Sequence, residues 1–194
     1  MALPAQAAAI LDFWFGTQSD AIAEHGRTLW FVKDAATDAI IHARFLPSYE
    51  LAVARQLDAW RGMAKSSLAL VILLDQFPRN MFRGQPRAFA SDGLAREVAS
   101  ESIERGFDLA LAPVQRAFMY LPFEHSETLA DQRRSLDLFA TLAQHEGLQE
   151  MVRYAQLHYD VIERFGRFPH RNDILGRRST AAESAFLAQP GSSF

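Results

Sequence analysis

Leu68-Ala69-Leu70-Val71-Ile72-Leu73-Leu74-Asp75-Gln76-Phe77 is apolar nearly all round, so a helix made from it belongs at the centre of a domain rather than on its surface. No stretch elsewhere alternates apolar with polar residues over a strand's length, and Ala and Leu far outnumber Val and Ile. Helix is therefore favoured throughout. Outward from the central segment, glycines and prolines cut the chain into about eight or nine helix-sized pieces. The cuts fall at Gly16, Gly26, Pro47, Gly62, Pro78 to Pro86, Gly106, Pro113, Pro122, Gly147, Gly166 to Gly176 and Pro190.

The flanking pieces carry apolar faces that such a helix could collect. Ala5 to Phe15 ends in Phe13, Trp14 and Phe15, too aromatic to lie in water, and is expected to dock on the body. Asp34 to Leu46 and Glu50 to Arg61 read as an antiparallel pair, with Ile40, Ile41 and Phe45 facing Val53, Leu57 and Trp60. Leu94, Val98 and Ile103 form a stripe on Pro86 to Arg105, and Val114 and Phe118 one on Pro113 to Tyr120. Leu129, Leu136, Phe139 and Ala143 should pair across Gly147 with Leu148, Val152, Ala155, Tyr159 and Ile162. The expected fold is all-α: a single domain over residues 1–194, stacked in antiparallel hairpins with a tetratricopeptide-like superhelical arrangement.

Composition narrows the function classes. Apolar residues make up 49% and charged residues 22%, ordinary values for a packed globular chain. The net charge of −3 offers no general attraction for phosphate backbones, so no nucleic-acid partner is expected. Lys33 and Lys65 are the only lysines; arginine, which favours bidentate contacts to carboxylate or phosphate, supplies the rest of the positive charge. The chain has no cysteine, which suits a reducing compartment. Met1 to Ile10 lacks a basic leader region and Leu68 to Leu74 is too short to span a bilayer, so a cytoplasmic protein with no membrane partner is expected.

Polar chemistry concentrates in three clusters, each following an apolar segment. The first is Asp75, Gln76, Arg79, Asn80 and Arg83, where Asp75 is either a functional carboxylate or the i,i+4 partner of Arg79. The second is Glu124, His125, Glu127 and Asp131. A helix starting at Ser126 would set Glu127 and Asp131 on one face, and Thr128 with Asp131 resembles a capping box. Capping does not explain His125, which among three carboxylates could hold a divalent metal or act as general acid or base.

The third cluster is Arg164, Arg167, His170, Arg171 and Asn172, with Arg177 and Arg178 beyond Gly176. It suits a phosphate, a carboxylate or an acidic partner surface, or else a loop tied down by arginine bonds to carbonyls and to the acids of the second cluster. His158 lies on the stripe of Met151, Tyr154, Val161 and Phe165, where a hydrogen-bonded core histidine is expected. Phe77-Pro78-Arg79-Asn80 is echoed by Phe168-Pro169-His170-Arg171-Asn172. If the echo is real, in both copies the aromatic and proline should end a helix while Arg and Asn bind carbonyls or a ligand just beyond. The terminal Pro190-Gly191-Ser192-Ser193-Phe194 suggests that Phe194 docks on the body with its carboxylate on an arginine.

No phosphate-binding glycine loop, Gly-x-Ser-x-Gly elbow or His-Glu-x-x-His pair occurs. Through Ile10 to Gly16, Leu73 to Gly84, Tyr120 to Glu127, Arg164 to Asn172 and Pro190 to Phe194 the chain resembles a bacterial family known as domain of unknown function 924. That resemblance implies an all-helical domain similar to the tetratricopeptide superfamily and brings with it no activity, cofactor or catalytic residue.

Three functions are open on this reading. One is a helical domain binding an anionic small molecule or peptide in a groove lined by Arg79, Asn80, Glu124, Asp131, Arg167, His170, Arg171 and Asn172. The second is an enzyme of unassigned reaction class using Asp75, His125 and Glu127 as acid-base or metal-binding groups, with Arg167 and Arg171 holding an anion. The third is a structural or protein-interaction module whose polar clusters only hold the fold.

Overall fold

The structure, a computed structural model, describes residues 2–16, 29–30 and 32–192; the expectation for Phe194 and the cut at Gly26 lie outside them. Among the described residues every regular element is helical. The chain divides into two compact units, residues 1–83 with 87–122 and residues 84–86 with 123–194.

In the first unit, α1 (Ala5–Phe15), α2 (Ala35–Val53) and α5 (Asp92–Glu104) pack about the apolar segment found first in the sequence, which runs through α3 (Ala64–Val71) into α4 (Phe77–Met81). Residues 66–78 are all buried, which is the result expected of a helix with no polar face. As expected, α1 docks through its aromatic end: Trp14 is 1% exposed and packs edge-on against Phe77 (5.6 Å between ring centroids) and Phe118 (5.7 Å). On α5 the buried line is Ala95, Val98, Ala99 and Ser102 rather than one through Leu94 and Ile103. Small side chains there bring α5 close to α3.

The expected hairpin between Asp34–Leu46 and Glu50–Arg61 does not form. Both halves of α2 belong to one helix that runs through Pro47, capped at its start by Asp34, whose carboxylate accepts from the backbone of Ala36 and Thr37. The reason lies in its face: Ile41, Phe45, Tyr49 and Ala52 are buried at helical spacing on both sides of the proline, while Pro47 itself is exposed. The cost of a missing N–H therefore falls where water can compensate. Ile40 and Val53, expected inside, are 46% and 39% exposed. The chain then turns at Arg55 (φ 59°) into a single 3-10 turn, Asp58–Gly62.

Nor does Phe77-Pro78 end the central helix. Pro78 cannot donate to the Leu74 carbonyl four residues earlier, and the chain widens into a π turn over Ile72–Gln76 before α4 continues to Met81. Ser91 Oγ takes over the Leu74 carbonyl at 2.6 Å, and Arg79 Nη1 donates to the Asp75 carbonyl.

The helix α6 (Pro113–Glu124) ends at the first residues of the second unit, which contains α7 (Leu129–Ala140), α8 (Gln149–Phe165) and α9 (Ala181–Leu187). As expected, α7 and α8 pack as a hairpin across Gly147 (φ 80°). The buried face of α8 is Met151, Ala155, His158, Val161 and Ile162, and Phe168 joins Val161 and Ile162 in the core of this unit.

Candidate functional site

The first cluster closes on itself. Asp75 is fully buried, accepts from Gln76 Nε2 (2.6 Å) and lies 3.4 Å from Arg79 Nη1, so the i,i+4 pair expected from sequence is present. Arg79 also forms a two-pronged bond to Asp92 (2.9 and 3.0 Å). Burial works against the Arg79 charge, but Asp75 and Asp92 outweigh it and raise its pKa. Asn80 and Arg83 converge on Asp38, at 2.8 Å for Asn80 Nδ2 and at 2.7 and 2.8 Å for the guanidinium. Sequence reading missed Asp38 and Asp92 because they lie 45 residues before Arg83 and 13 after Arg79. The pairings of Arg79 and Arg83 are what an internal network requires.

In the second unit the other two clusters interlock. Glu124 is the last residue of α6, and the turn after it winds around Gln132 of α7, whose fully buried amide donates to the carbonyls of Glu124 (2.6 Å) and Ser126 (2.7 Å). The helix α7 starts at Leu129 rather than Ser126: Thr128 caps it by accepting from the Asp131 N–H. Asp131 in turn accepts from Ser126 Oγ (2.6 Å) and Thr128 Oγ1 (2.8 Å). Its carboxylate belongs to the cap.

Glu127 reaches across to the loop after α8. It accepts from the Phe168 N–H (2.8 Å) and from both prongs of Arg177 (2.6 and 3.0 Å), while Arg177 also donates to the Phe168 carbonyl (3.1 Å). Burial pushes the Glu127 carboxyl up, yet these donors outweigh it and hold the pKa below its usual value. Arg167 is held by Glu183 (2.6 and 2.8 Å), which closes a capping box with Thr180 and has its pKa drawn down to about 2 by Arg167. The loop itself exists because Gly166 (φ 69°) ends α8 in the left-handed conformation, turning Phe168 back onto the helix it has just left. The two Phe-Pro segments therefore do different local work: one continues a helix through a π turn, the other follows a helix already ended by glycine.

Phe168 is the hub of what results. Its fully buried ring meets the His158 ring edge-on at 5.4 Å, the His170 ring at 5.6 Å, and the Arg171 guanidinium at 4.5 Å from its centroid. His125 lies beyond His158 at 6.2 Å between rings. Glu124, His158, Arg171 and Asn172 are buried, whereas His125 and His170 are only partly so. Asn172 donates to Ser179 Oγ at 3.0 Å.

Beside Phe168 stands a pair that sequence reading did not assemble. His158 Nδ1 lies 2.8 Å from the Tyr154 carbonyl and 3.1 Å from Glu124 Oε1. Both are acceptors, so Nδ1 carries the proton and Nε2 the lone pair. Burial pulls the His158 pKa down, and the charges of His125, Arg171 and His170 pull it further, outweighing the Tyr154 carbonyl. His158 is thus the hydrogen-bonded core histidine expected from its stripe, with a carboxylate behind it. The only signal for Glu124 was its place at a helix end next to His125.

Among the described residues no group of three or more His, Asp or Glu side chains is arranged to hold a metal ion. Of the carboxylates close to His125 in sequence, Glu127 accepts from Arg177 and Asp131 from Ser126 and Thr128 of the α7 cap. A shallow apolar pocket beside Leu157, Val161, Phe165 and Phe186 carries only Asp160 and Arg164 as charged lining.

The family model described as bacterial protein of unknown function, DUF924, matches residues 10–191. The chain belongs to the DUF924 family. A solved structure, that of a protein of unknown function from Agrobacterium tumefaciens, is 47% identical, with a TM-score of 0.85 over 95% of this chain and 97% of its own. No curated protein matches. No helix among the described residues is long and apolar enough to cross a membrane.

Proposed function

We propose that this DUF924 chain binds a small molecule in its second unit, beside the Glu124–His158 pair, and that His158 Nε2 accepts a hydrogen bond from it there. The observation that carries the reading is the pair itself: an imidazole kept neutral by burial, with its tautomer set from behind by a carboxylate and a carbonyl. A neutral imidazole so oriented presents a fixed lone pair: with Nδ1 protonated, Nε2 is left as an acceptor for a ligand donor. A purely structural role would be served as well by an apolar side chain of similar size, without the expense of enclosing a carboxylate. The cytoplasmic location expected from sequence belongs to the same proposal and is checked by fractionating the bacterium.

Thermal unfolding against a panel of small metabolites tests it. A ligand at about 100 times its Kd adds roughly 2.7 kcal/mol, several degrees for a chain of this length. His158→Asn keeps a donor where Nδ1 stood and removes Nε2. A shift seen in the wild type and lost in His158→Asn supports the reading. A panel without any shift, or shifts indifferent to His158, counts against it.

A further inference from the structure

A second place in the same unit offers room that the Glu124–His158 pair does not line. Leu157, Val161, Arg164 and Phe165 stand at helical spacing on α8, and with Phe186 of α9 they line an open hollow of about 160 Å³. That is room for one six-membered ring, since an apolar cavity of about 150 Å³ holds benzene. Val161 is buried, while Leu157, Phe165 and Phe186 are only half-buried. The Phe165 and Phe186 rings lie 5.2 Å apart between centroids and are tilted by 50°, a pair to which a third ring adds edge-on or offset.

The charged residues beside the hollow are Asp160 and Arg164, four apart on α8, the spacing of an ion pair. Asp160 instead accepts from Gln156 Nε2 at 2.7 Å, and the Arg164 guanidinium lies over the Phe165 ring, 4.7 Å from its centroid. Among the described residues no carboxylate holds Arg164. A ring contact gives the guanidinium no oxygen acceptor for its N–H donors. Asp160 is exposed, where screening by water leaves little repulsion toward a second anion.

We infer that this hollow binds an aromatic carboxylate, with the ring against Leu157, Val161, Phe165 and Phe186 and the carboxylate on Arg164. A plain hydrocarbon would leave the cation unused, and an inorganic anion would leave the apolar lining in water; a molecule carrying both parts answers both. Neither His158 nor Glu124 takes part, so this site stands or falls apart from the proposed function.

The test follows the Leu157 and Val161 methyl resonances of the full chain by NMR while benzoate, benzyl alcohol or acetate is added at constant ionic strength. Benzoate should shift them saturably and acetate should not. Benzyl alcohol, which has the ring without the charge, should bind several-fold more weakly than benzoate. Arg164→Gln, at an exposed position, should remove that preference and keep the benzyl alcohol response, and His158→Asn should change neither. Benzoate shifts that are absent or do not saturate, acetate shifts that match them, or a preference that survives Arg164→Gln overturn the inference. A benzoate response lost in His158→Asn overturns it too, by placing the probe at the other pair. If benzoate shifts these methyls only in Phe194→Ala, residue 194 of the chain is the occupant, and the ligand site is equally refuted.

Discussion

The protonation state of His158 is open to a stability measurement that needs no ligand. Burial and the neighbouring positive charges bring its pKa to about 3 in the folded chain, against 6.5 for an unperturbed imidazole. Below pH 6.5 the unfolded chain therefore takes up a proton that the folded chain refuses. Because stability rises with pH wherever the unfolded state binds more protons, the contribution is complete above pH 6.5 and is lost as the pH falls toward the folded pKa. Each unit crossed costs about 1.4 kcal/mol, so roughly 2 to 3 kcal/mol should disappear between pH 6.5 and 4.5. Urea unfolding followed by circular dichroism at pH 7.5, 6.5, 5.5 and 4.5 measures this in the wild type and in His158→Asn. The substitution will itself lower stability at neutral pH, but groups common to both proteins cancel in the difference of slopes. Glu127 and Glu183, with their lowered pKa values, also favour the folded state less in acid, and they too are common to both. The wild type should lose stability more steeply than His158→Asn by about 1.4 kcal/mol per unit through this window. Equal slopes would refute the neutral, buried imidazole and, with it, the assignment of the lone pair to Nε2.

Two further substitutions address positioning. Glu127→Gln cannot hold both Arg177 and the Phe168 N–H as an ion does; a loss of about 1 to 2 kcal/mol is expected in urea unfolding, moderate because the site is partly solvated. No loss would mean that the clamp contributes nothing. Ser91→Ala should cost about 1 to 2 kcal/mol in the wild type by leaving the Leu74 carbonyl without its donor, and clearly less when Pro78→Ala supplies a backbone N–H at that position. Additive effects in this double-mutant cycle would show that Pro78 is not why Ser91 is needed.

What could be read from sequence was whatever depends on a single element. The enclosed helix, the docking of Phe13 and Trp14, the α7–α8 pairing and the Asp75–Arg79 bond all follow from periodicity or from an i,i+4 spacing. The misreading at Pro47 came from treating proline as a break without asking which way it faced. Tyr49 and Ala52 continue the stripe of Ile41 and Phe45, and that continuity was the better signal. Partners brought together by tertiary structure were out of reach: Asp38 for Arg83, Asp92 for Arg79, Arg177 for Glu127, Glu183 for Arg167. Periodicity put His158 on a buried face without saying that a helix end 34 residues earlier would deliver Glu124 to it. The polar face of α7 carried a warning, since Gln132 and Ser135 sit where a stripe through Phe139 calls for apolar residues.

Of those two polar residues, Gln132 bears on how the site is held. A glutamine amide enclosed on α7 and donating to the carbonyls of Glu124 and Ser126 fixes the end of α6, and therefore the carboxylate behind His158. On the opposite side Glu127 and Arg177 grip the Phe168 backbone at both its N–H and its carbonyl, and the ring so placed sets His158, His170 and Arg171 around itself. Each group with chemical potential is thus located by another that is itself hydrogen-bonded inside the unit, the arrangement that keeps such a group within a fraction of an ångström. Glu127, a candidate for chemistry on sequence grounds, supports the site through Phe168, one residue removed from the imidazole. It follows that Glu127→Gln should disturb the His158 ring environment in NMR spectra while leaving its Nδ1–H tautomer, which Glu124 and the Tyr154 carbonyl set, unchanged. A tautomer change in that variant would show that the two supports are not independent.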